Sequence, residues 1–382
     1  MKEKPLKTGG KSLIINSRVK ADKFPSKFKD CLTNYSEIAK NYCDEGEWFY
    51  FLKAKEEFLA RPDFGWSSLS LQEKKIIHGL DEFKIAAYLG YRFSFKAGLN
   101  RKGYEKKPIF ALLEVSSACN VKCPFCFQSD PSFTTQEYMG IIDTKLAMKV
   151  VDQINDMKIR GITIASRGEP LLYKDLEYLL NYIGTKNNII EIKINTNAKR
   201  LTEDRLIKLI KTPLNILVVS TDHYEKEMYE KYRHGANYET FVKHISKINK
   251  IRNGLNREMN LYTRASGVMV DPNMNKTKFD NFYSDFFDES ASVTLTEMWD
   301  TYSNKIEDIS NLGPCGMPFE KLYIWHDGTT NPCDVDYKSL LSPGKVGNLS
   351  LQQCWENMQY LRNEMLSNKR HLHKPCDRCY VN

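Results

Sequence analysis

No long apolar run occurs in this sequence. Leu13, Ile14 and Ile15 follow a basic stretch, Met1 to Lys11, but fall far short of a signal-peptide core. Nowhere does the chain approach the roughly 20 apolar residues that span a bilayer. It is therefore expected in the cytoplasm, without a membrane partner. Excess charge is also scarce. There are 56 basic and 48 acidic side chains, a formal charge of +8, and the first thirty residues alone hold nine Lys or Arg against three Asp or Glu. Beyond that tail the charges nearly balance, which argues against a nucleic-acid groove. Internal repeats are absent, and so is low complexity outside the tail. Reduced cytoplasmic thiols exclude disulfides as the role of the ten cysteines. Metal or cluster ligation accounts for them wherever the spacing permits.

What remains is a globular composition, 41% hydrophobic and 27% charged over 382 residues, enough for two to three domains. Residues 1–25 read as a basic mobile tail. Residues 26–105 read as a helical segment, with Phe49, Phe51, Leu52, Phe58 and Leu59, then Ile76, Ile77, Leu80, Phe83 and Leu89, near helical spacings. Cys31 and Cys43 lie within it and read as small core hydrophobes. From residue 106 to 308 strands alternate with helices. Strands are expected at Ile109–Val115, Gly161–Ser166, Ile189–Asn195, Leu214–Ser220, Asn260–Val270 and Ser292–Glu297. The expected helices are Thr144–Met157, capped by Asp143, then Asp175–Tyr182, Thr202–Ile210, Asn237–Ile251 and Lys278–Phe287. Six such alternations predict an α/β fold with parallel strands closed or partly closed into a barrel, and sites at the strands' C-terminal ends. Residues 309–382 are rich in Pro, Gly and Cys. There Asp327-Gly328 signals a hairpin and Leu351–Leu366 a helix, and the small size suggests dependence on a metal centre.

Cys119-Asn-Val-Lys-Cys123-Pro-Phe-Cys126 follows the first barrel strand. Three thiolates on a four-iron cluster leave one iron open to an outside ligand. Zinc would want a fourth protein ligand, and none is adjacent.

On this motif the sequence resembles the radical S-adenosylmethionine (SAM) superfamily, over residues ~108–300. The resemblance implies a partial (β/α)6 TIM-like barrel whose cluster binds SAM and cleaves it to a 5′-deoxyadenosyl radical that abstracts hydrogen from substrate. It places Phe125 near the adenine. Ser166-Arg167-Gly168-Glu169-Pro170, after the second strand, resembles the family's Gly-Gly-Glu-Pro motif, whose backbone and Glu hold the SAM amino group; here Arg replaces the first Gly. Asn195-Thr196-Asn197 and Ser220-Thr221-Asp222, at the ends of strands three and four, are similar to positions near the ribose or substrate, with strand-end capping as the alternative. Arg264 would meet the SAM carboxylate, or else form an outward ion pair.

Cys315, Cys333, Cys376 and Cys379 resemble the SPASM/twitch extensions that carry auxiliary four-iron clusters. Four cysteines suffice for one fully ligated cluster; a four-cysteine zinc ribbon is the alternative. Cys354 reads as core packing. A fully ligated cluster implies electron acceptance, and so oxidation of a carbohydrate or other small molecule. A peptide- or protein-modifying maturase and a non-catalytic zinc-stabilised binding protein are the other readings. An electron donor such as flavodoxin or ferredoxin is implied. Asp222, Glu297, His326 and Asp334 are the candidate bases.

Overall fold

The structure, a computed structural model, describes residues 6–8, 11–17, 24–34, 36–294 and 313–379. Two strands open the chain, β1 (Leu6–Thr8) and β2 (Lys11–Ser17). Five helices follow: α1 (Ser26–Thr33), α2 (Ser36–Ala39), α3 (Glu45–Leu59), α4 (Leu71–Gly79) and α5 (Glu82–Lys96). Then strands and helices alternate: β3 (Phe110–Leu113), α6 (Thr144–Asp156), β4 (Gly161–Ile164), α7 (Leu176–Gly184), β5 (Glu191–Thr196), α8 (Glu203–Lys211) and β6 (Ile216–Ser220). Three helices, α9 (Lys226–Tyr232), α10 (Tyr238–Ile245) and α11 (Ile248–Gly254), precede β7 (Tyr262–Met269), and α12 (Lys276–Tyr283) precedes β8 (Glu289–Thr294). The last segment holds α13 (Met317–Glu320), β9 (Lys321–Ile324), β10 (Thr329–Asn331), β11 (Gly344–Lys345), α14 (Leu351–Asn357) and α15 (Gln359–Leu366).

The eleven strands among the described residues form one sheet, in the order β1-β2-β8-β7-β6-β5-β4-β3-β9-β10-β11. Strands β3 to β8 are parallel neighbours in chain order, as five successive crossovers require. The barrel is partial, since β9 extends it in parallel beyond β3 and β2 antiparallel beyond β8. Ala111, Leu113, Ile162, Ile164, Ile192, Ile194, Leu217 and Val219 alternate along their strands and pack outward against the helices in the main core.

Several expectations need correction. Residues 6–8 and 11–17 are not a mobile tail: an open edge on β8 offers unpaired backbone, and the strand-forming run around Leu13–Ile15 takes it. The sixth barrel strand begins three residues earlier than expected, at Glu289, and Glu297 lies outside the described residues. The helix expected over Asn237–Ile251 is two, α10 and α11, and α9 was not anticipated.

The helical segment is seated on the barrel. Phe51, Phe58, Ile77 and Leu89 share one core with Ile190, Ile216, Val218 and Tyr262 at the strand starts. Buried ion pairs tie the two parts together: Arg160 Nη2 to Glu47 Oε2 at 2.8 Å and Lys75 Nζ to Asp288 Oδ1 at 2.8 Å. Cys31 and Cys43 are buried in this core as expected, and Cys354 is buried beneath the hairpin domain.

Candidate active site

The cysteine loop leaves the top of β3 and is fixed from several sides. Lys122 N donates to His234 O at 2.9 Å, Ser117 N to Gly140 O at 3.0 Å, and Lys199 Nζ to Asn120 O at 3.0 Å. Gln128 Nε2 donates to Ser117 O at 2.6 Å and also reaches Arg167 O, joining this loop to the one after β4. Glu169 N donates to Ala118 O at 2.9 Å, and Gly168 fits only because it has no side chain: a Cβ there would lie 2.3 Å from Ser116 O. The two motifs separated in sequence are thus one interlocked surface.

Cys119, Cys123 and Cys126 share an apolar cluster with Val121, Phe125, Val268 and Val270. Burial pushes the Cys123 thiol up to about 11 and the Cys126 thiol to about 12. Arg233 is the nearby cation, paired through Nη2 with Asp222 Oδ2 at 2.6 Å, both buried. Asn197 Nδ2 lies 3.7 Å from Cys119 Sγ and donates to Asn120 Oδ1 at 2.8 Å.

Glu169 is buried and accepts from Thr196 Oγ1 at 2.6 Å, Leu171 N at 3.0 Å and Asn197 N at 2.7 Å. Burial raises its pKa, against the pull of those donors. A carboxylate offers about four lone-pair sites, so one remains for an incoming ammonium. Pro170 starts the tight turn that aims Glu169 at the end of β5. Around this rim Ser166 Oγ, Asn195 Oδ1 and Thr221 Oγ1 are buried without a hydrogen-bond partner among the described residues, and Ser220 ends β6 beside them in sequence. Ser166 also has φ +137°, a strained backbone of the kind functional sites retain. Orphaned polar atoms of this kind suit a polar ligand such as SAM, and the three thiols suit an iron–sulfur cluster.

Arg264 does not join this rim. It is the third residue of β7, and its side chain lines a cavity of about 530 Å³ at the strand starts, with Gly161, Glu191 and Glu289. Neither expected role is seen: the side chain faces the barrel interior, but below the rim, and it makes no ion pair among the described residues. Asp222 is occupied too: besides Arg233 it accepts from Val268 N at 2.9 Å. His326, at the top of the β9–β10 hairpin, places Nδ1 3.2 Å from Glu114 Oε1.

Glu114 and Arg167 were not anticipated as a pair. Arg167 donates through Nε and Nη2 to the Glu114 carboxylate, each at 2.7 Å, and through Nη1 to Tyr337 O at 2.8 Å. Its guanidinium lies 4.1 Å from the Trp325 ring. The Arg that replaces a motif glycine therefore clamps the barrel rim to the hairpin domain. A glutamate ending an apolar strand and an arginine in a tight turn were the available signals.

The second thiol set lies around the starts of β9 and the end of β10. Cys315, Cys333 and Cys376 share a core with Met317, Phe319, Tyr323 and Trp325. Cys379 belongs with them: it lies within electrostatic range of Cys376, as Cys315 does of Cys333. Arg370 Nε donates to Cys376 O at 3.4 Å and its Nη2 to Cys379 O, holding the chain end. Asp334 influences Cys333 and Tyr323, and so sits by this set rather than at the barrel mouth. Among the described residues no three Cys, His, Asp or Glu side chains converge on one point as a single metal ion would need. A four-iron cluster, whose ligands bind separate irons, does not require that convergence. Also among the described residues, no helix is long and apolar enough to cross a membrane.

A model of the radical SAM superfamily matches residues 113–275, and one of an iron–sulfur cluster-binding domain, SPASM, matches 315–380. The chain is 23% identical to a GTP 3′,8-cyclase of Clostridium botulinum over 279 residues, 64% of this chain and 86% of the relative. Streptococcus suis SuiB bound to S-adenosylmethionine superposes with a TM-score of 0.52 at 15% identity, covering 88% of each chain. The protein anSMEcpe with bound AdoMet gives 0.52 at 16%, covering 71% of this chain and 86% of that one.

Proposed function

This chain is a radical SAM enzyme with a C-terminal SPASM-type auxiliary cluster domain, and we propose that it oxidises a carbohydrate or another small molecule by removing two hydrogens. Its cofactors are a four-iron cluster, SAM and an auxiliary iron–sulfur cluster. In this reading Cys119, Cys123 and Cys126 hold the first cluster, and Cys315, Cys333, Cys376 and Cys379 hold the second. When bound, these groups supply reductive cleavage of SAM to a 5′-deoxyadenosyl radical that takes one substrate hydrogen, and an acceptor for the electron left after a proton departs. The observation that carries the reading is the gathering of four C-terminal thiols, a set large enough to leave no iron open to substrate.

The remaining work falls to the chain's own side chains. Glu169 receives the SAM ammonium at its free lone pair, while Gly168 and Pro170 shape the turn. Phe125 covers the thiols on their apolar side. Asn197 orients the cysteine loop, and Ser220 with Thr221 faces the ligand from β6. His326 takes the proton. Glu114 accepts from its Nδ1–H and leaves Nε2, which packs beside Gly140, as the acceptor, whereas Asp222 is committed to Arg233 and Asp334 lies by the second thiol set. Trp325 and Phe133 cover the Arg167–Glu114 pair and keep water from it.

The test is anaerobic turnover with SAM and a reductant, ferredoxin or flavodoxin among them, against fractionated small molecules. Substrate should stimulate 5′-deoxyadenosine formation and emerge lighter by two hydrogens. His326→Gln should slow that oxidation by about 10²-fold or more while uncoupled SAM cleavage persists. A mass change confined to a peptide would overturn the reading in favour of a maturase, and SAM left intact with zinc on the chain would favour a binding protein.

A further inference from the structure

The cavity at the barrel floor holds more positive than negative charge. Arg92, Lys96, Lys193, Arg264 and Lys321 line it, against Glu73, Glu191 and Glu289. Two of the carboxylates are hydrogen-bonded, while Glu191 Oε2 is buried without a hydrogen bond among the described residues and its charge acts on Lys193 against that of Arg264. Glu73 Oε1 pairs with Arg92 Nε at 3.1 Å, Glu191 Oε2 lies 3.9 Å from Arg92 Nη1, and Glu289 accepts from Tyr262 OH. Lys321 rests on Phe110 and Lys96 is exposed. Lys193 and Arg264 are left. Neither makes a hydrogen bond or ion pair among the described residues, and Arg264 Nε is buried without a partner. Burial first, and then the charge of Arg264, pull the Lys193 ammonium down to about 7. Each of these charges disfavours the other, and an anion bound between them would relieve that cost.

The cavity also has a place in the molecule. Lys193 lies on the inward face of β5, four residues below Asn197, whose amide touches Cys119. At roughly 3.3 Å per residue that is about 13 Å along the strand, the span of a small metabolite. On β9, Lys321 lines the cavity and Tyr323, two residues on, packs against Cys315 and Cys333. The floor cavity thus lies below the cysteine loop along β5 and next to the second thiol set along β9.

We propose that the substrate carries an oxyanionic group, a carboxylate or a phosphate, which Lys193 and Arg264 bind at the barrel floor while the rest of the molecule extends up to the cysteine loop. This rests on the small-molecule oxidation reading, but the anion site can be tested apart from it.

The experiment is calorimetric titration of the reconstituted full-length enzyme with sodium sulfate and, separately, sodium acetate. Saturable binding of either anion is expected, sulfate standing in for phosphate and acetate for carboxylate, and the tighter one names the group. Lys193→Met and Arg264→Met should each weaken binding at least tenfold, with iron content and uncoupled SAM cleavage unchanged; Lys193→Arg should retain it. On the wild type alone, the bound anion should protect Lys193 from acetylation mapped by mass spectrometry. Absence of binding to wild type, equal binding by folded Met variants, or acetylation of Lys193 unaffected by the anion overturns the proposal. A wild type that lacks the auxiliary irons but binds anion at Lys193 instead overturns the oxidation reading and leaves the anion site standing.

Discussion

Gly168 has no room for a side chain, because Ser116 O and Ala118 O occupy the space a Cβ would enter at 2.3 and 2.5 Å. Gly168→Ala should force the two motif loops apart, weaken SAM binding at least tenfold by equilibrium dialysis, and leave the C-terminal thiol set loaded. Unchanged SAM affinity would remove the interlock from the account. Lys193 gives a pH signature. Its folded pKa is lowered to about 7, below its value in the unfolded chain. Between about 7 and 10.4 the unfolded state holds a proton the folded state lacks, so stability rises with pH across that window, and below 7 the full penalty applies. Chemical denaturation at pH 7 and pH 9 should detect the rise in wild type, and Lys193→Met should flatten it. At this scale the sequence was a good guide to chemistry and a poor one to location. The sequence left Arg264 open between a ligand contact and an outward ion pair, because the tilt and stagger of barrel strands decide which end of the interior a residue reaches, and neither is written locally. Arg167 looked like a backbone variant because its partner Glu114 is 53 residues away.

Elements were easier to read. Asp143 caps α6 by accepting from Lys145 N at 3.0 Å and Leu146 N at 3.1 Å, and Asp327-Gly328 turns the hairpin with Gly328 at φ +89°. Both signals are local, which is why they survived. The start of β8 was missed because Glu289 and Ser290 look like loop residues; each finds a partner across the fold, Tyr262 OH for Glu289 and Asp280 for Ser290. The β2 pairing was missed for the same reason, an open edge on β8 being a tertiary fact. The seat of α3 on the barrel makes a prediction here. Glu47 accepts from Arg160 Nε and Nη2, each at 2.8 Å, and from Lys107 Nζ at 2.9 Å, all largely buried. Glu47→Ala leaves the Arg160 charge uncompensated and should cost about 3–5 kcal/mol in urea denaturation. A loss below about 1 kcal/mol would mean that water reaches the guanidinium and the helical segment is seated loosely.

For the whole molecule, one partial barrel is covered at its floor by helices and flanked at β3 by a small thiol-bearing domain. The spacing of Cys119, Cys123 and Cys126 marked the first thiol set in the sequence, whereas the C-terminal set was picked out by the family resemblance, its spacing suiting zinc equally. The cavity at the barrel floor was not legible there, because it is assembled from single residues on separate strands. The central claim is that two iron–sulfur clusters occupy these two thiol sets. Its most direct test is iron and acid-labile sulfide per chain after anaerobic reconstitution, for wild type and for the Cys119/Cys123/Cys126→Ala variant. The account predicts about eight irons falling to about four. About four falling to none would leave Cys315, Cys333, Cys376 and Cys379 without iron and contradict the electron-accepting role assigned to them.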